Sequence, residues 1–300
     1  MLKDLETLTN LYFTFDIPVP IKDKLMIYPV KVRDYYMFYS LIDILMLDKN
    51  NNPETIPMSY LKFIKYLGEQ KDGGVYNIKL SKLLELMLHI ENGFYCPLCK
   101  YEIKEKVLVE EVNKIGQNTE DKLKKFQELQ ICPHCSQKMY DIIRYNEEDN
   151  GRVSLYIYET QLHSNEFDRL KDIILYQNVS DYEDDSMMDS DLAADLKRLR
   201  ELKNRNIDDA PLERKIICAA VTTGYTVEQV LDLTIRKLRL LLSVEDAKMY
   251  YQAAKIGSMA GFVTYKTEPE HWIYQKKKTI FDEGATSLDS LKQKIEVANK

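Results

Sequence analysis

The chain has 300 residues, 45% of them hydrophobic and 30% charged, with a formal net charge of −6. That is ample apolar material for one large or two modest domains, and no apolar run approaches the 18 or so residues that cross a bilayer. The negative balance argues against nucleic acid as a partner, because phosphate binding draws much of its affinity from clustered Lys and Arg. The opening Met1-Leu-Lys-Asp-Leu-Glu6 holds no apolar core for a signal peptide, so a reducing cytosol is expected.

The first region, residues 1–92, reads as mostly helical with a small extended element. Leu2, Leu5, Leu8 and Leu11 recur at three-residue spacing, which suggests a short opening helix broken by Pro18 and Pro20. An extended segment is expected over Lys24 to Val30, then a long apolar helix from Lys31 to about Leu47. Ser59 is placed to cap a helix through Leu67, with Gly68 closing it and Gly73-Gly74 turning. Ser81 is expected to cap a further helix to about Ile90.

Four of the five cysteines then fall in two pairs, Cys96-Pro-Leu-Cys99 and Cys132-Pro-His-Cys135. A CxxC turn places two sulfurs on one metal ion, and two such turns complete a tetrahedral all-sulfur shell. In a reducing compartment paired CxxC motifs hold metal more often than disulfides. The expected cofactor is Zn2+, one per chain and structural, since four thiolates leave no open position for water; iron stays an alternative. His134 reads as a solvent-facing turn residue rather than a fifth ligand. From 93 to 145 nine basic and eight acidic residues nearly cancel, so the module has no charge suited to DNA. Strands are expected at Tyr101 to Val109, a helix at Asn118 to Gln130, and further strands at Met139 to Tyr145 and Val153 to Tyr158. These define a zinc-ribbon insert over 93–158.

The third region, 159–300, returns to helix. Phe167, Leu170, Ile173 and Ile174 share one stripe. An acidic linker is expected over 177–191, where Asp181 to Asp191 holds six acidic residues. A charged helix follows over Leu192 to Asn204, and after Pro211 a buried helix with Cys218 as an inert core residue. Thr226-Val-Glu-Gln229 has the form of a capping box, and Thr234 and Ser243 are candidate later caps. Val244, Ala247, Tyr251, Ala254 and Ser258 are expected to make a packing face, and Trp272 a core anchor. Leu288, Leu291 and Ile295 form a narrow apolar stripe on a terminal helix over 287–298, which docks on its own protein or binds a partner. The fold class is mainly α with a small β insert, α+β, in which the N- and C-terminal regions form a helical body.

No phosphate loop, HExxH, GxSxG or GxGxxG is present, and no two of His89, His134, His163 and His271 have ligand spacing. No catalytic or small-molecule site is expected; binding or assembly is the default. The segment Lys24 to Tyr36, with Ile56-Pro-Met-Ser-Tyr-Leu-Lys-Phe63, Asp246-Ala-Lys-Met-Tyr-Tyr251, Gly257-Ser-Met-Ala-Gly-Phe262 and His271-Trp272, resembles tail-assembly and baseplate proteins of tailed bacteriophages. The ribbon departs from the simplest members, which lack it, and Lys100 and Ser136 stand where a Gly usually follows the knuckle. The resemblance implies a non-enzymatic protein of virion morphogenesis, a baseplate or hub component or an assembly chaperone. Its partners would be other tail proteins, and its place the host cytoplasm and, if retained, the virion. The rival reading is a zinc-ribbon regulator of nucleic acid or RNA polymerase.

Overall fold

The structure is a computed structural model that describes residues 2–70, 73–115, 119–149, 151–179, 210–261 and 271–273. It is mainly helical with small antiparallel sheets. The chain forms two compact units, residues 1–239 and 240–300. Among the described residues no helix is long and apolar enough to cross a membrane.

The first unit opens with α1 (Leu2–Leu11) and an antiparallel hairpin of β1 (Val19–Lys22) and β2 (Leu25–Ile27). The helix expected over 31–47 is shorter. It is α2 (Tyr35–Leu41), flanked by 3-10 turns at Val32–Asp34 and Ile42–Leu45. In the second turn Ile42, Ile44 and Leu45 are all buried. In α3 (Tyr60–Glu69) the Ser59 hydroxyl accepts the Lys62 N–H at 3.3 Å, as a cap should. The next helix, α4 (Gly74–Leu88), starts seven residues before Ser81, so that serine is interior and caps nothing. Its hydroxyl instead accepts the Asn92 side-chain amide.

After the cysteine-bearing lobe, the chain forms a meander of β6 (Ile143–Glu147), β7 (Val153–Ile157) and β8 (Thr160–Leu162), followed by α7 (Ser164–Asn178). The insert expected to reach 158 is shorter. Val153, Leu155, Ile157 and Leu162 are buried with Phe38, Leu61, Leu84 and Phe167 in the main core. Two-sided burial of β7 between helices and sheet neighbours draws it into the body, so the separately cored lobe ends near Ile142. The α7 stripe of Phe167, Leu170, Ile173 and Ile174 lies in that same core, and this helix joins the N-terminal region rather than a separate C-terminal one.

The expected acidic linker also begins too early. Gln177 and Asn178 are buried at the end of α7. Asn178 accepts the Val30 N–H at 3.1 Å and donates to the Ile174 carbonyl at 2.9 Å. Its own carbonyl accepts Arg239 at 2.9 Å. Residues 180–191, the helix expected at 192–204 and the stripe Leu288, Leu291 and Ile295 lie outside the described residues.

Then come α8 (Leu212–Thr223), α9 (Val227–Asp232) and α10 (Ile235–Met259). The Thr226–Gln229 capping box is present, with reciprocal bonds of 3.2 and 2.9 Å. Thr234 caps α10 through the Lys237 N–H, but α10 runs on unbroken through Ser243. The strap before it pairs with the N-terminal region, Val32 N–H to Leu233 O at 2.8 Å and Ile235 N–H to Val30 O at 2.9 Å. α8 is not the buried helix expected. Only Ala219 is buried on it, and Ile217 and Cys218 are exposed. In the second unit Ala254 is buried, whereas Val244 and Ser258 of the same expected face are exposed. His271 stands 5.0 Å from the Tyr251 ring, and Trp272 is half-buried beside it.

Candidate metal centre

The lobe that carries the cysteines is built on β3 (Gly93–Tyr95), which lies between β4 (Glu102–Lys104) and β5 (Tyr140–Asp141). Gly93 cannot be replaced there. Its φ is +149°, and a Cβ would come within 2.0 Å of the Ile103 carbonyl oxygen on the paired strand. After β4 the chain turns helical rather than continuing as strand to Val109: α5 (Glu105–Asn113) is followed by α6 (Thr119–Leu129). Glu105 starts the helix, where its charge complements the exposed N–H groups.

This lobe has little core of its own. Its hydrophobic cluster is Phe94, Cys96, Ile103, Leu108, Cys132 and Met139, and two of these six are cysteines. Phe126 of α6 adds an edge-on ring contact to Phe94 at 5.1 Å but remains 38% exposed.

The two knuckles have the same backbone. In the first, the Cys96 N–H donates to the Tyr101 carbonyl at 2.9 Å and the Lys100 N–H to the Cys96 carbonyl at 2.9 Å. In the second, Cys132 N–H to Gln137 O and Ser136 N–H to Cys132 O repeat this at 2.8 Å each. Lys100 and Ser136 have φ of 62° and 58°, so each holds the left-handed conformation that favours glycine. The turn geometry of the motif is therefore kept without its usual residue. That conformation closes the turn and aims N–H groups at the sulfurs.

All four sulfurs lie within 4.8 Å of one another. Cys96 to Cys135 and Cys99 to Cys132 are 3.4 Å apart across the knuckles, and Cys99 to Cys135 is 3.7 Å. A disulfide would need about 2.05 Å. Four sulfurs at about 2.3 Å from a common ion stand roughly 3.8 Å apart at the edges of a tetrahedron. The cluster thus has the size and chemistry of a four-thiolate metal site.

The electrostatics point the same way. Hydrogen bonding from the Cys99 N–H, with that of Leu98, pulls the Cys96 thiol down to about 6 against burial. At Cys132 burial is outweighed by the N–H groups of His134 and Cys135, and the thiol is lowered. Cys135 moves up to about 12, the hydrogen bond from Gln137 being outweighed by burial and by neighbouring sulfurs, Cys96 foremost. Cys99 is raised likewise: the Tyr101 N–H is outweighed by burial and by Cys132 and Cys96. Four thiolates this close repel one another, so some keep their protons until a cation replaces them.

No histidine among the described residues joins the cluster. His134 is exposed and lies against Tyr101 at 4.5 Å, outside the sulfurs. His89 ends α4 with φ 52° and stacks on Tyr28 at 4.0 Å; burial lowers its pKa. His163 precedes α7 and takes part in its capping box.

The lobe is fastened to the body by backbone. Ile142 N–H donates to Gly93 O at 2.9 Å and Tyr158 N–H to Ile142 O at 2.8 Å. Arg144 spans the junction, donating to the carbonyls of Asp141 and Tyr158 at 3.1 and 3.0 Å. Lys100, the residue after the first knuckle, pairs with Glu159 at 2.6 Å. Sequence reasoning missed this junction, because Tyr158 read as the last residue of the insert and Glu159 as the first of the C-terminal region.

No protein-family model matches the chain, and no curated protein or solved structure matches it either.

Proposed function

We propose that the cysteine cluster holds one structural Zn2+ per chain, and that the protein is a non-enzymatic component of phage tail or baseplate morphogenesis, built into the structure or acting as an assembly chaperone. The zinc reading rests on the all-sulfur, closed donor set and on a lobe whose few buried residues need an ion to complete the core. The ion supplies folding free energy and no chemistry.

One observation carries the assembly reading. On this lobe Leu98 is 69% exposed, Leu123 58% and Val109 52%. We read these as parts of one apolar partner surface, since contiguous exposed apolar patches mark protein interaction sites. The segments that resemble tail proteins, from Lys24 to Tyr36 and from Ile56 to Phe63, lie in the body that supports the lobe.

The test is affinity purification of the tagged chain from infected or co-expressing cells, with mass spectrometry of partners and elemental analysis of the same sample. Tail or baseplate proteins together with about one zinc per chain are the expected result. RNA polymerase subunits or nucleic acid in their place would show a regulator and overturn the assembly reading. Leu98→Asp and Leu123→Asp are expected to reduce partner recovery without loss of zinc.

A further inference from the structure

We infer that Cys99 and Cys135 form the oxidation-sensitive edge of the cluster, and that a peroxide converts them to a disulfide across the two knuckles with release of the metal. This inference rests on the metal reading above. The four sulfurs are not equivalent. Cys96 and Cys132 are 0% and 1% exposed, whereas Cys99 is exposed and Cys135 half-buried. Burial denies an oxidant access, so a small oxidant meets the exposed edge first.

The geometry then favours closure. Cys99 and Cys135 sulfurs are 3.7 Å apart. The Cys99 thiolate attacks peroxide, forming an S–O bond as the O–O bond breaks and hydroxide leaves. The Cys135 thiolate attacks the resulting sulfenic sulfur, forming the S–S bond and expelling a second hydroxide. Two thiolates are oxidised by two electrons and one peroxide is reduced. Cys132 lies nearer to Cys99, at 3.4 Å, but it is 1% exposed and packed into the lobe core. With two of its four sulfurs oxidised the site would no longer hold an ion, while the new bond keeps the two knuckles joined.

The experiment uses the full chain with zinc bound and its content measured first. Hydrogen peroxide is added, released zinc is followed with a chromogenic chelator, and free thiols are alkylated before peptide mapping. Expected is zinc release in step with a Cys99–Cys135 disulfide, with Cys96 and Cys132 alkylated. A disulfide inside either knuckle, one at Cys132, or oxidation confined to exposed Cys218 with zinc retained would overturn the inference. Protein that purifies without metal would sink the zinc reading instead. The disulfide map then decides the oxidation site alone: Cys99–Cys135 supports it, any other pairing refutes it.

Discussion

Residue by residue, the centre is governed by backbone conformation as much as by its sulfurs. Ser136 sits at φ 58°, where an ordinary side chain costs about 1 to 2 kcal/mol and a β-branched one more. Ser136→Val is therefore expected to weaken metal retention about tenfold in a chelator competition, while Ser136→Gly keeps or improves it. If both variants behave alike, the left-handed turn is not what orders the site. Cys132→Ser removes a buried sulfur of the proposed metal site, and binding to such sites supplies about 10 to 16 kcal/mol of folding free energy. That variant should lose the metal and show fast amide exchange across residues 93–142. A third residue tests the body. Glu166 accepts the His163 N–H at 2.8 Å and pairs with Lys22 at 2.7 Å. Its burial alone would raise its pKa, but the Lys22 and His163 hydrogen bonds outweigh that and lower it. A lowered carboxylate stabilises the fold fully above its unfolded pKa of about 4.3, and loses that contribution as pH falls through the lower folded value. Glu166→Ala should thus cost about 1 kcal/mol at neutral pH, with the gap to wild type closing in acid. A gap independent of pH would mean that the charge is not what matters.

At the scale of elements, what was legible in the sequence was whatever local chemistry decides. The CxxC pairs, the Ser59 cap, the Thr226–Gln229 box and the Thr234 cap all stand where residue type and spacing place them. What was not legible depended on distant partners. Val107 and Val109 suit a strand, but the segment winds as a helix, which buries Leu108 in the lobe core and leaves both valines exposed. The apolar run Ile216 to Ala220 looked like a core helix, yet α8 finds cover only at Ala219. The alternation of Val153, Leu155 and Ile157 marked a strand correctly and could not say which core would receive it. The close of α7 is another such case, since a polar Asn178 before an acidic stretch looks like linker. Its side chain satisfies the buried Val30 N–H, and an unsatisfied buried donor costs about 1 to 3 kcal/mol. Asn178→Ala should lower stability in urea titration by about that amount, and Asn178→Asp, which keeps the acceptor but buries a charge and loses the donor to the Ile174 carbonyl, should lose more at neutral pH. No loss on Asn178→Ala would show that this side chain is not what satisfies Val30.

Over the whole first unit, two cores of unequal self-sufficiency share one chain. The body core gathers Phe13, Phe38, Ile64, Leu84, Leu155, Phe167 and many more without any cysteine. The lobe core has six buried residues and depends on the ligands themselves. The two meet at the backbone bonds of Gly93, Ile142 and Tyr158, and the surface pair Lys100–Glu159 adds little, both side chains being more than half exposed. Removal of the metal should therefore unfold the lobe and stop at that junction. With a strong chelator, hydrogen exchange is expected to rise throughout 93–142 while β7 and α7 keep their protection, and thermal unfolding of the body should shift by no more than a few degrees. Loss of protection in Val153–Ile157 together with the lobe would mean that the junction transmits the collapse, and the body would then be a metal-dependent fold as well. The same comparison bears on the proposed role. A lobe that melts alone can lose its exposed Leu98 and Leu123 as a binding surface while the body persists, so chelation should abolish partner capture without precipitating the protein.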